Sequence, residues 1–514
     1  VTAWPSLRVI VYLVWGGGRA YLGAGRSVLV RVVVGRGGVR VVFSPRLDFG
    51  RMETRLAVVD AGIVVEGLVD SLALYSPGIA WKVYDEGRHQ TAVAEFDASD
   101  KPVVFELRYG TASLAPAPQP EPVRRERTAR SWSGWAAALT LPALAREHVL
   151  RSALVLKALT YGPSGAIVAA ATTSLPEHFG GVRNWDYRFC WPRDAAMAAT
   201  ALLRLGAMGP GVKLLDWVLD ILEHCEPDAL LSPIYTVSGA HLGPEGEIGS
   251  LSGYRGSRPV RVGNAAAQQV QLDTLGPLVE LVARLADGGA TLSAEHWRLV
   301  ETMAAAVRRR WREPDHGIWE VRRPRRQHVH SKVMCWLALD RALHVARYLG
   351  RSRPDWAQLR DEIAADVLER GWNAEQRAFV ATYEGAEPDA AALWVGLSGL
   401  LDAGDPRFVS TVDCVERQLR ERGTVFRYRY DDGLPGREGG FHLCTAWLIE
   451  AFVRIGRRDA AYELFDRYLA CAGPTGLLAE EVDPHSGAAL GNFPQAYAHV
   501  GLIDAALALD QAAE

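Results

Sequence analysis

With 514 residues, 49 % of them apolar, and 57 Lys and Arg against 60 Asp and Glu, the chain can bury a large core. It carries no basic stripe of the kind that tracks nucleic acid, and no run approaches the roughly 20 apolar residues of a membrane span. The six cysteines, Cys190, Cys225, Cys335, Cys414, Cys444 and Cys471, show neither a CxxC pair nor zinc spacing. They read as buried free thiols of a reducing compartment, which points to a cytoplasmic location. The first residue is Val, so secretion stays open.

Residues 1–112 read as an antiparallel β-sandwich. Val-rich runs at 27–34 and 39–43 flank Gly35-Arg36-Gly37-Gly38, and short β-branched runs recur at 56–59, 62–65 and 102–107. The stretch 113–139 holds APAPQPEP and a charged run, and reads as an extended linker. From 140 to 514 the pattern turns helical. About twelve amphipathic segments begin near Leu141, Asp194, Val212, Ala265, Ser293, Ser331, Asp355, Asp389, Pro406, Gly440, Asp459 and Pro494. Six helical hairpins closing into a ring account for that count, with an irregular bundle as the alternative.

The longer loops carry the chemistry-bearing residues. Residues 183–194, RNWDYRFCWPRD, bring Trp185, Tyr187 and Trp191 together with Arg193 and Asp194. Aromatic faces stack on a pyranose, and guanidinium and carboxylate groups bind vicinal hydroxyls. A structural ion-pair cluster is the alternative there. Residues 254–262 supply Tyr254, Arg255 and Arg258. In DHGIWE, Trp319 stands beside Glu320, and a carboxyl against an indole loses hydration, which favours the protonated form a general acid needs. Glu480 and Glu481 lie on a loop before the last helix, and FRYRYDDG alternates Arg427 and Arg429 with tyrosines. His328 and His330 form an HxH pair with no third ligand near, and no phosphate loop or nucleophile elbow is present, so no metal or cofactor is expected. A ring of hairpins would gather these loops into one pocket with two separated glutamates, which is what glycoside hydrolysis requires.

Five motifs, 174–197, 253–273, 315–322, 331–343 and 480–503, resemble glycoside hydrolase family 15, the glucoamylase, glucodextranase and trehalase group, in its bacterial form. PRLDFGR (45–51) resembles the end of that family's N-terminal sandwich. The resemblance implies a mainly α protein, an (α/α)6 barrel behind a β-sandwich, acting on a terminal α-linked glucose of an oligosaccharide with inversion to β-glucose. It places Glu320 as acid and Glu480 as base, and it gives Trp191, Arg193, Asp194 and Arg429 to the non-reducing glucose. Where fungal members carry an aspartate three residues before the acid and a glutamate just after it, this chain has Gly317 and Val321, which implies a different leaving-sugar subsite. Trehalase and isomaltose- or dextran-directed activity are the alternatives, with loops 232–262 and 316–330 expected to decide between them. A non-catalytic sugar-binding protein and an inverting phosphorylase are the readings from other classes. Oligomeric state is not legible.

Overall fold

The computed structural model describes residues 2–15, 26–224 and 230–513, in two compact units, Val1–Ala138 and Leu139–Glu514. Cys225 lies outside the described residues; the other five cysteines are free thiols, four of them buried.

The first unit is a two-sheet sandwich built from β1 (Thr2–Ala3), β2 (Leu7–Leu13), β3 (Ser27–Gly35), β4 (Gly37–Phe43), β5 (Leu56–Val59), β6 (Gly62–Val65), β7 (Leu72–Tyr75), β8 (Lys82–Glu86), β9 (His89–Ala98) and β10 (Val103–Tyr109). One antiparallel sheet runs β1-β2-β3-β10-β7-β6-β5 and the other β4-β9-β8. The glycine turn after β3 does not make a hairpin. Gly35 and Gly37, at φ +116° and +146°, let the chain leave one sheet and enter the other, because only glycine holds such angles without strain. Alternating apolar residues from both sheets meet between them, including Val33, Ile63, Val65, Leu74, Ala92 and Phe105.

The expected linker at 113–139 needs correction: most of it is helix α1 (Glu121–Ala137). Pro120 caps it and Pro122 sits in its first turn, where a missing N–H costs nothing. The Glu126–Arg130 pair is one helical turn apart. The helix packs within the first unit, with Tyr12 donating to Glu121 at 3.2 Å and Trp15 and Trp132 ring centroids 5.3 Å apart.

The second unit contains α2 (Arg146–Ala158), α3 (Pro192–Arg204), α4 (Met208–Glu223), α5 (Leu275–Asp287), α6 (Ala294–Arg310), α7 (Val329–Tyr348), α8 (Pro354–Arg370), α9 (Trp394–Leu397), α10 (Pro406–Leu419), α11 (His442–Arg454), α12 (Arg458–Ala470) and α13 (Ala496–Ala513). Contacts run α3–α5–α7–α9–α11–α13 and back to α3, while α2, α4, α6, α8, α10 and α12 pack outside that ring. This is an (α/α)6 barrel. Most residues of α5, α7, α11 and α13 are buried, as an inner ring packed on all sides demands. The fourth inner position is shorter than the sequence pattern implied. There a 3-10 turn at Ala390–Leu393 runs straight into the four-residue α9. Two further starts move: the first barrel helix begins at Arg146, after Ala145 at φ +51°, and the segment expected at Ala265 breaks into 3-10 turns before α5 begins at Leu275.

Candidate active site

Inner helices alternate with outer ones, so all inner N-termini face one end of the barrel, and the long loops that precede them converge there. The cavity they line opens to solvent. Its floor is the first turn of α3. Arg193, buried, donates through Nε to the Tyr497 hydroxyl (2.7 Å) and through Nη1 to Gln271 (2.7 Å) and Asp273 (3.0 Å). The Tyr497 hydroxyl donates in turn to Asp194 at 2.5 Å. Asp194 also lies near the positive end of the helix, yet burial lifts its pKa to about 6.

Two glutamates stand above this floor. Glu320, at φ +58°, accepts on one oxygen from the Trp191 indole N–H (2.7 Å) and the Gln271 amide (3.1 Å), with an Arg193 nitrogen at 3.6 Å. Glu480 is buried and accepts from the Tyr187 hydroxyl at 2.8 Å. Its second oxygen has no protein partner among the described residues and lies against Gly491. Tyr187 and Trp191 touch edge to face, centroids 5.5 Å apart, so one aromatic pair carries a carboxylate at each end. Burial, and then the charge of Glu177, push Glu480 up to about 8.

Glu177 forms the wall beside Glu480. It accepts from the Trp185 indole at 2.8 Å, and its other oxygen lies 3.6 Å from Arg427 and 3.9 Å from Arg183. Burial raises it to about 7. Arg183 is gripped by both oxygens of Asp432 at 2.8 and 2.9 Å, and Arg427 pairs with Glu438. Glu177, Glu480 and Glu481 each bring an oxygen within 4.8 Å of the others. These are the described residues that could hold a cation, and Arg427, within 4 Å of two of them, already supplies positive charge.

Of the residues singled out from sequence, Trp185, Tyr187, Trp191, Arg193, Asp194, Trp319, Glu320 and Glu480 line this cavity. Four do not. Arg429 pairs with Glu421 (2.6 Å) and lies over Phe426, while Arg427, two residues earlier, faces the cavity. Tyr254 and Arg255 form an exposed 3-10 turn against Phe179, and Arg258 is exposed ahead of a cis proline. Glu481 also turns away, accepting from the Gly439 N–H at 2.6 Å. Two expected roles change as well. Trp319 gives its N–H to Asp389 (2.9 Å), so the indole on Glu320 is that of Trp191. Trp185 carries the guanidinium groups of Arg261 and Arg322 over its ring at 4.6 and 4.7 Å, so its face meets arginine where a sugar was expected. Glu177, Arg183, Arg322, Asp432 and Tyr497 line the cavity without having been singled out. Glu177 and Arg183 fall inside a motif already noted, yet neither differs in pattern from a surface acid or base.

The family model described as Glycosyl hydrolases family 15 matches residues 143–507. The chain belongs to this family. A second model, Trehalase-like, N-terminal, matches residues 1–132 of this family 15 chain. Among curated relatives, a protein named Trehalase from Thermoplasma volcanium is 39 % identical over 393 residues, covering 76 % of this chain and 62 % of the relative. A Trehalase from Mycobacterium tuberculosis is 40 % identical over 375 residues, covering 72 % and 55 %. The chain spans somewhat over half the length of these two relatives. A solved bacterial glucoamylase complexed with acarbose shares the fold, with a TM-score of 0.73 and 13 % identity, over 99 % of this chain and 82 % of that one. No helix among the described residues is long and apolar enough to cross a membrane.

Proposed function

We propose that this family 15 hydrolase cleaves α,α-trehalose with inversion, Glu320 acting as general acid and Glu480 as general base. The observation that carries the substrate is the agreement between a trehalase-like N-terminal match and relatives named trehalase at 39–40 % identity. The mechanism is supported by the two carboxyls held at opposite ends of the Tyr187–Trp191 pair in one cavity. One glucose settles on Arg193 and Asp194. Glu320 delivers its proton to the glycosidic oxygen as the C1–O bond lengthens. Glu480, ionised, takes a proton from a water that attacks C1 from the opposite face. Inversion needs the two carboxyls about 6.5–9.5 Å apart to admit the water.

Trehalose makes the test sharp, because only one of its two glucoses undergoes attack. Proton NMR of a fresh digest should show β- and α-glucose appearing in equal amounts before mutarotation. Release of α-glucose alone would mean retention and end the scheme. Cleavage of maltose or isomaltose with trehalose left intact would end the substrate assignment and keep the mechanism.

A further inference from the structure

Exposure rises from the floor of the cavity to its mouth. Trp191, Arg193, Asp194 and Glu480 are all buried, whereas the Arg322 side chain, on the same cavity, is 29 % exposed. The acid protonates the oxygen between two sugars, so a sugar bound beyond it lies toward the mouth. Val321, immediately after the acid, is buried. Arg322 is therefore the first residue past the acid that the second sugar can meet.

Arg322 is held in a fixed plane. Its two terminal nitrogens donate to the two oxygens of Glu245 at 3.3 and 2.9 Å, and its guanidinium lies 4.7 Å from the Trp185 ring centroid. Glu245 is itself fixed by the Ala265 N–H at 3.1 Å. Arg261, also over Trp185, donates to the carbonyls of Val182 and Asn184 at 2.9 and 3.0 Å and sits 3.5 Å from Glu245. A guanidinium has five N–H donors, and Glu245 takes two from Arg322. The remainder are pre-oriented, which suits vicinal hydroxyls. Glu245, with Glu247 at 3.9 Å from Arg261, balances the two arginines, so the wall offers donors without net charge. That favours a neutral sugar over a phosphorylated one.

Resting on the trehalose reading, we propose that Arg322, seated on Trp185 and clamped by Glu245, forms the leaving-glucose subsite and determines specificity for the departing sugar. The assembly joins loop 245–262 to the segment after the acid.

The test compares trehalose with α-D-glucopyranosyl fluoride, which has the first glucose and no leaving sugar. In Arg322→Ala the ratio of kcat/KM for trehalose to kcat/KM for the fluoride should fall about ten- to a hundredfold, the scale of charge-assisted hydrogen bonds lost to a bound hydroxyl. Arg322→Lys should stay low, because it keeps the charge and loses the fork. Glu245→Gln should shift the ratio the same way by loosening the clamp. An unchanged ratio in Arg322→Ala overturns the proposal, including the case where both substrates decline together. Should the unmutated enzyme turn over the fluoride and not trehalose, the substrate assignment fails on its own. The same ratio, taken with whichever of maltose or isomaltose it cleaves, then decides the role of Arg322.

Discussion

Glu480 and Glu481 stand side by side at the start of a short strand, and the two-residue period of extended chain turns one to the cavity and the other to the Gly439 N–H. Glu480→Gln should therefore cost about 10²–10⁴ in kcat, as should Glu320→Gln, the range for a positioned base or acid. Full activity in Glu480→Gln would transfer the role elsewhere. Glu177 tunes the same group. Its negative charge disfavours ionisation of Glu480, and the base works only when ionised while the acid keeps its proton. Glu177→Gln removes that charge, and the limb of kcat/KM against pH that Glu480 sets should move to lower pH. A limb that stays in place would show that the two carboxyls do not communicate. Much of this site was legible. The aromatic and charged loop 183–194 announced itself by composition, and family resemblance picked Glu320 and Glu480. What failed was direction within a loop. Arg427 and Arg429 are both arginines beside tyrosines, and only the folded chain shows that Arg427 is drawn inward by Glu438 and Glu177 while Arg429 is satisfied outside by Glu421.

The barrel elements were legible as a count of twelve because helical spacing of apolar residues survives even where all faces are buried. Two elements were not. The prolines at 120 and 122 suggested extended chain, yet proline at a helix start is compatible with α1, whose pattern is mostly charged. The fourth inner helix shrank to α9 because the 3-10 turn before it occupies the inner position, and spacing alone does not distinguish the two. Close approach between inner helices was also invisible in the sequence. Gly501 on α13 faces Ala446 on α11, and a Cβ added there would lie 2.7 Å from the Ala446 methyl and 3.1 Å from the Tyr468 hydroxyl. That hydroxyl donates to the Ala498 carbonyl of α13. Alanine normally favours a helix by about 1 kcal/mol over glycine. Here the helices would have to part, so Gly501→Ala should destabilise by roughly 1–3 kcal/mol, read as a lower midpoint in urea. A stabilised variant would show that the ring can open at that contact without loss.

At the scale of the whole molecule, buried titratable groups couple the fold to pH. Burial raises Asp194 and Asp389 to about 6, Asp315, Glu177 and Glu450 to about 7, and Glu480 to about 8. The unfolded chain releases those protons near pH 4, so from about pH 4 to 8 the native state holds more protons at these sites, and their contribution to stability falls as pH rises. Buried histidines work the other way. Burial lowers His328, His330 and His442 to about 4 and His499 to about 3. Below about pH 6.5 the unfolded chain binds protons that these native imidazoles refuse, so their contribution rises with pH up to that point and then stops. Glu245 and Glu280, both depressed by arginine partners despite burial, add stability that is lost only when pH drops through their folded values. The two large sets oppose each other below about pH 6.5, and above it only the acids still titrate. The six acids outnumber the four histidines, and above about pH 6.5 nothing opposes them, so thermal midpoints should decline from about pH 6.5 toward pH 8. Glu480→Gln, which has no charge to bury, should soften that alkaline decline. A midpoint that keeps rising from pH 6.5 to 8 would mean that these carboxyls are ionised throughout and that the arginines around them more than compensate for their burial.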